Sequence, residues 1–162
     1  MCMKKSKKFK FLFTTLVLSL IGCSSIQQKV GAQENKFSYA ALENGGTPWR
    51  LVKVQAGSDG IVLNREGMKD DYTITFSDTG ISGKAYPNKY FSGYEMRKGN
   101  NISFKPIAGT LMAPFNDPYL LKEQDYYKYL ASTKSWNVNK GTLCLRGVLE
   151  NGTEVLLFFT GN

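Results

Sequence analysis

The chain has 162 residues, a formal charge of +8, three cysteines and no histidine. Without histidine it cannot build a Ser-His-Asp or Cys-His triad, an imidazole base or the imidazole ligands common in zinc sites. Five of its 21 Lys and Arg precede Cys23 and all 13 Asp and Glu follow it, which leaves about +3 beyond that cysteine and no basic run longer than Arg97-Lys98, too little for a nucleic-acid surface.

Residues 1–10 carry Lys4, Lys5, Lys7, Lys8 and Lys10, and an apolar run over residues 11–22 follows. The order basic, apolar, small predicts a secretory signal. The apolar run falls short of the roughly 20 residues that a membrane-spanning helix needs. Leu20-Ile21-Gly22-Cys23 resembles the lipobox of bacterial lipoproteins, at which the thiol takes a diacyl group, with palmitate-type chains, and the peptide is cut before the cysteine. That resemblance implies a signal peptide at residues 1–22, a lipid on Cys23 and the membrane as a partner. Ser24 in place of Asp favours the outer membrane of a diderm cell. An ordinary signal peptide with a cysteine beside its cleavage site is the competing reading. Residues 24–46 are polar, aperiodic and end in Asn44-Gly45-Gly46, so residues 23–46 are expected to form a lipidated, flexible tether.

From Thr47 the pattern changes to short alternating runs punctuated by Gly, Asn and Asp, the mark of a small all-β domain over residues 47–162. Residues 49–54 put Trp49, Leu51 and Lys53 on one face and Arg50, Val52 and Val54 on the other. Residues 61–63 and 72–76 follow as strands, and 81–86 returns as a hairpin arm after the turn at 77–80. Residues 91–96 and 101–104 flank Lys98-Gly99-Asn100. Asp117-Pro118 has the form of an N-cap followed by proline at the first helical position, which predicts a helix of about three turns through Ala131 with Tyr126 and Leu130 on one face. The last runs, 142–149 and 154–159, flank Asn151-Gly152, a strong hairpin signal. Residues 155–159 are apolar on both faces and are expected to be covered on both sides. The expected fold is mainly β: a small, partly closed antiparallel barrel with one helix laid across an opening.

The chemistry in these residues is sparse. With Cys2 removed and Cys23 acylated, Cys144 is the one thiol left, so no intrachain disulfide is expected and Cys144 reads as a small buried hydrophobe on a strand. Asp70-Asp71 with Glu66 lacks the alternating oxygen ligands of a calcium loop and reads as a solvated turn. Glu123 and Asp125 lie two apart on the helix and face different ways, so they form no acid–base pair; Glu123 suits a hydrogen-bonding role at the barrel lid. Residues 86–94 (YPNKYFSGY) suit a rigid loop presenting rings, and Tyr86, Tyr90, Phe91 and Tyr94 are the candidate partner-binding residues. Lys84, Lys89 and Arg97 around them favour an anionic partner such as a lipid headgroup or a glycan. No catalytic residue, metal ligand or cofactor is expected.

The segments "GTPWRLV", "ITFSDTGISGKAYPNKYFSGYEM", "ISFKPIAGTLMAP", "EQDYYKYL" and "LCLRGVLENGTEVLLF", in this order, resemble the META domain, or HslJ-like, family of bacterial envelope proteins. The resemblance spans residues 46–160. It implies a small barrel associated with the envelope and with stress, with no agreed catalytic activity and no site residues to carry over. Many relatives have cysteine where this chain has Pro87 and Pro114; if that pair bridges in them, the bridge is lost here. The expected function is a non-catalytic, lipid-anchored envelope protein that binds another envelope component. A carrier of a small apolar ligand or lipid inside the barrel is the alternative, and an enzyme a third.

Overall fold

The computed structural model describes residues 39–63, 71–114 and 116–161. Leu20, Ile21, Gly22 and Cys23, most of the expected tether, Glu66 and Asp70 lie outside the described residues. In chain order the elements are α1 (Tyr39–Glu43), a 3-10 turn (Asn44–Gly46), β1 (Trp49–Ala56), β2 (Asp59–Val62), β3 (Thr73–Ser77), β4 (Gly80–Ala85), β5 (Asn88–Ser92), β6 (Tyr94–Arg97), β7 (Asn101–Phe104), β8 (Ala108–Gly109), α2 (Glu123–Ala131), β9 (Thr133–Asn139), β10 (Thr142–Val148) and β11 (Glu154–Thr160).

Hydrogen bonding links the strands in the order β6-β7-β9-β10-β11-β1-β3-β4-β5-β8, with β2 hanging from β1. Only Gly93 separates β5 from β6. The two form one bent run whose first half pairs with β4 and whose second half pairs with β7. One end of the path, β6, is therefore joined through the chain itself to β5, next to the other end, and the sheet curls into a partly closed antiparallel barrel. Closure is thin at two seams. The β1–β3 ladder rests on Trp49↔Ile74 and Arg50↔Thr73, and β7–β9 on Asn101↔Ser135.

The barrel centre is filled by side chains. Trp49, Ile74, Phe76, Leu145, Leu157 and Phe159 are each at most 2% exposed, and α2 adds Tyr126 and Leu130, both fully buried. Burial of a side chain such as Leu130 stabilises by about 1.5–3 kcal/mol, which explains why a nine-residue helix too short to persist alone is fixed here.

Four details differ from the sequence reading. The first is the tether, which does not run to Gly46: residues 39–46 are α1 and the 3-10 turn, Leu42 is fully buried, and its carbonyl accepts the Trp49 indole N–H at 2.7 Å. The second is strict alternation in β1. A register shift between Leu51 and Lys53 marks a bulge, and the extra residue brings Val54, not Lys53, onto the inner face with Trp49 and Leu51. The third is the start of α2, at Glu123 rather than Pro118. Asp117 instead closes a local turn, accepting from the Tyr119 amide at 3.1 Å and the Lys122 ammonium at 2.9 Å, and Lys122 is still extended. Lastly, β11 buries Val155, Leu157 and Phe159 on one face only; Leu156 and Phe158 are half-buried, with the Lys53 ammonium 5.8 Å from the Phe158 ring centre.

Candidate functional site

The helix and β3–β5 meet around a knot of tyrosines. Alternation in β5 turns Asn88, Tyr90 and Ser92 inward, and all three are buried. The Tyr90 hydroxyl donates to the Thr73 carbonyl at 2.8 Å and lies 3.1 Å from the Tyr126 hydroxyl. Tyr72 donates to the Leu121 carbonyl at 2.5 Å, and Tyr127 to Glu123 Oε1 at 2.7 Å. The rings meet edge to face, with Tyr72 5.4 Å from Tyr126 and Tyr90 5.5 Å from Tyr127. Gly83 makes this approach possible, because a Cβ there would fall 2.0 Å from the Thr73 oxygen and 2.8 Å from the Tyr90 hydroxyl. Burial pushes the pKa values of Tyr72, Tyr90, Tyr126 and Tyr127 well above the ordinary phenol value. Burial together with the Asp71 carboxylate, which accepts the Tyr119 hydroxyl, takes Tyr119 up to about 12. These phenols are fixed donors at neutral pH, not nucleophiles or bases.

Beside the knot, Asn88 works as a clasp. Its carbonyl oxygen accepts from the Thr110 hydroxyl at 2.6 Å and the Met112 amide at 2.8 Å; its amide nitrogen donates to the Met112 carbonyl and to Glu123 Oε2, each at 3.1 Å. One buried side chain thus ties the strap after β8 to the start of α2. Glu123 is the lid hydrogen-bonder the sequence suggested. Asn88 was not singled out, although it stands two residues before Tyr90 and four before Ser92 in the alternation of β5.

The outer face of β4–β5 is different in character. Ser82, Lys84, Lys89 and Phe91 are all exposed, and the register sets Ser82 against Phe91 and Lys84 against Lys89. Two surface troughs flank them. The wider, of about 670 Å³, is walled by Tyr86, Pro87, Asn88 and Met112, with Asp71 also on its lining. The narrower, of about 540 Å³, includes Pro48, Gly83, Tyr90 and Phe91. Lys84 and Lys89 line both.

The four candidate residues therefore part company. Residues 86–94 are not a loop but mostly strand, and strand alternation turns Tyr90 into the core at 2% exposure. Tyr86 is half-buried, its ring 5.0 Å from that of Tyr119 and its hydroxyl on the Asn116 carbonyl at 3.0 Å. Tyr94 is half-buried against Phe76 and bonds the Ser77 carbonyl at 3.0 Å. Phe91 stands out at 65% exposure. Arg97, beyond the bend, pairs with Glu95 at 3.8 Å. Cys144 faces outward on β10 and is half-buried rather than buried; burial raises its pKa, with Arg146 opposing and Glu154 reinforcing the shift. Among the described residues no three or more Cys, Asp or Glu side chains gather as a metal site.

The family model for the META domain matches residues 40–161. Two solved structures share the fold. One is an NMR structure of a protein from Burkholderia xenovorans, 20% identical, covering 76% of this chain and 87% of that one with a TM-score of 0.56. The other is the crystal structure of a DUF4847 family protein from Bacteroides vulgatus, 14% identical, covering 75% and 94% respectively with a TM-score of 0.52. At these identities the likeness concerns the fold alone. No curated protein matches the chain.

Proposed function

The chain belongs to the META domain family, and on that footing we propose that it is a non-catalytic binding module of the bacterial cell envelope, held at a membrane by a lipid on Cys23 and engaged with another envelope component, in keeping with the stress-associated members it resembles. The observation that carries this reading is the division of the domain into a filled interior and an unengaged outer face. Trp49, Ile74, Leu145, Leu157 and Phe159 occupy the barrel centre, the buried phenols Tyr90 and Tyr126 bond each other and the Thr73 carbonyl, and Asn88 bonds Thr110, Met112 and Glu123. Apolar side chains are also exposed on the outside: Phe91 on β5 and Leu111 and Met112 on the strap that Asn88 holds, with Val62, Leu120 and Val148 exposed elsewhere. An interior packed in this way favours contact through the surface over carriage of a ligand within.

The test has two parts. A photo-crosslinking residue at Phe91 in intact cells is expected to capture an envelope component, whereas one at Asp78, on the β3–β4 turn, is not. Equal capture at both positions, or none at Phe91, overturns the binding reading. Mass spectrometry of the mature N-terminus is expected to find a diacylated Cys23, and an unmodified chain starting after Gly22 overturns the anchor.

A further inference from the structure

Lys84 and Lys89 are direct cross-strand partners and both are exposed. Like charges placed opposite one another on one face of a sheet destabilise it. None of the ion pairs formed among the described residues involves either ammonium. The arrangement costs stability, and no carboxylate among the described residues forms an ion pair with either lysine.

The same two lysines are the residues shared by the two troughs. In the wider trough, walls from Tyr86, Pro87 and Met112 are mainly apolar, and its volume of about 670 Å³ falls within the range of about 300–1,000 Å³ usual for small-molecule sites. Asn88 in its floor has its bonds directed to Thr110, Met112 and Glu123. The charged donors left for a ligand are therefore the two ammoniums.

We infer that Lys84 and Lys89 anchor a binding site for a small anionic amphiphile, a molecule with one phosphate or carboxylate group on an apolar body. The anionic group sits between the two ammoniums, where it replaces their repulsion with two charge-assisted bonds. The apolar body lies in the wider trough against Tyr86, Pro87 and Met112. Asp71, on the lining of that trough, disfavours a second anionic group and so sets the direction of the ligand. This inference stands independently of any envelope partner. It also differs from carriage inside the barrel, because the site is on the outer face.

The experiment is an NMR titration of the full chain, with Cys23→Ser to prevent acylation, following the Lys84 and Lys89 amides. The probes are octyl phosphate, inorganic phosphate and octanol. Octyl phosphate is expected to bind about tenfold or more tighter than either control, and Lys84→Gln with Lys89→Gln to weaken it about tenfold while the fold and its melting temperature are kept or improved. Octanol binding as tightly as octyl phosphate, or an unchanged affinity in the double variant, overturns the inference. Met112→Gln is expected to weaken binding and Phe91→Ser to leave it unchanged; the reverse pattern overturns the placement in the wider trough. Vesicles of phosphatidylglycerol in phosphatidylcholine identify the source. Lysine-dependent vesicle binding assigns the site to lipid headgroups in a bilayer, and octyl phosphate binding without it assigns the site to a free amphiphile.

Discussion

Replacing Asn88 by alanine tests how the strap and α2 are held. Three of its hydrogen bonds have neutral partners, and the fourth goes to the Glu123 carboxylate. At about 1 kcal/mol for each neutral bond and about 2 for the charged one, the gross contribution is about 5 kcal/mol. Part of this returns in the variant. Thr110 and Met112 are exposed, so water can take Asn88's place, and Glu123 keeps the Tyr127 hydroxyl. The expected loss for Asn88→Ala is therefore about 3 kcal/mol in urea unfolding. Hydrogen exchange localises the effect. The Met112 amide, which bonds Asn88, loses protection, while the Thr110 amide, which bonds the Lys89 carbonyl at 2.9 Å, keeps it. Asn88→Asp is the sharper probe. It keeps the acceptor for Thr110 and Met112 but sets a carboxylate where the amide lies 3.1 Å from Glu123. Two carboxylates so close raise a folded-state pKa above the unfolded value. The variant is then stable at acid pH, where the pair holds a proton, and loses stability as pH rises through that folded pKa. A loss below about 1 kcal/mol for Asn88→Ala, or full protection of Met112 in that variant, would show that the clasp does not hold the strap.

The tyrosine knot predicts alkaline unfolding. Because folding raises these phenols above their unfolded value near 10, with Tyr119 at about 12, stability is intact below about pH 10 and falls as pH rises beyond it; phenolate absorbance should rise together with loss of the fold, and smooth, independent titration in a folded chain would contradict this. Gly83→Ala drives a methyl group into the Thr73 carbonyl and should cost about 3 kcal/mol or more by denaturant unfolding. Lys89→Glu turns a repulsive cross-strand pair into an attractive one, so unfolding should show a gain of about 0.2–1 kcal/mol while octyl phosphate binding is lost. Cys144, with its pKa raised, should react with iodoacetamide more slowly in the folded chain than in urea, and equal rates would refute its partial shielding.

The β-rich pattern was legible because alternation is written in residues such as those of β3, where Ile74 and Phe76 go inward and Ser77 outward. What escaped were features set by pairing rather than by a residue's own neighbours. The bulge in β1 is imposed by register with β11, and no local signal marks Val52 as the extra residue. Asp117-Pro118 carried a genuine start signal, but Asp117 used its carboxylate on Tyr119 and Lys122, so the chain turned there without winding. Asn151-Gly152 did mark a hairpin, yet of that pair only Gly152 has positive φ, whereas the β9–β10 hairpin turn has positive φ at both Lys140 and Gly141. The site was half legible. The stretch holding Phe91 and the lysines drew attention through composition, but the burial of Tyr90 depends on the parity of a strand mistaken for a loop.

The seating of β1 between β3 and β11 bears on how the domain comes into being. Residues 49–56 find their longest ladder with residues 154–160, so the barrel cannot form its central pairing until almost all of the described chain is available. Contacts of such sequence separation require closure of a long loop before any ladder rewards it, and they make folding slow. During synthesis the early strands have β2 and β3 as neighbours but no complete sheet to join. For a chain bound for export, as residues 1–22 lead us to propose, that delay is an asset, since a domain that closes late is still threadable when it reaches a narrow passage. It also carries a hazard: a product cut short before Glu154 leaves facing edges of β1 and β10 unpaired, each a template for another strand.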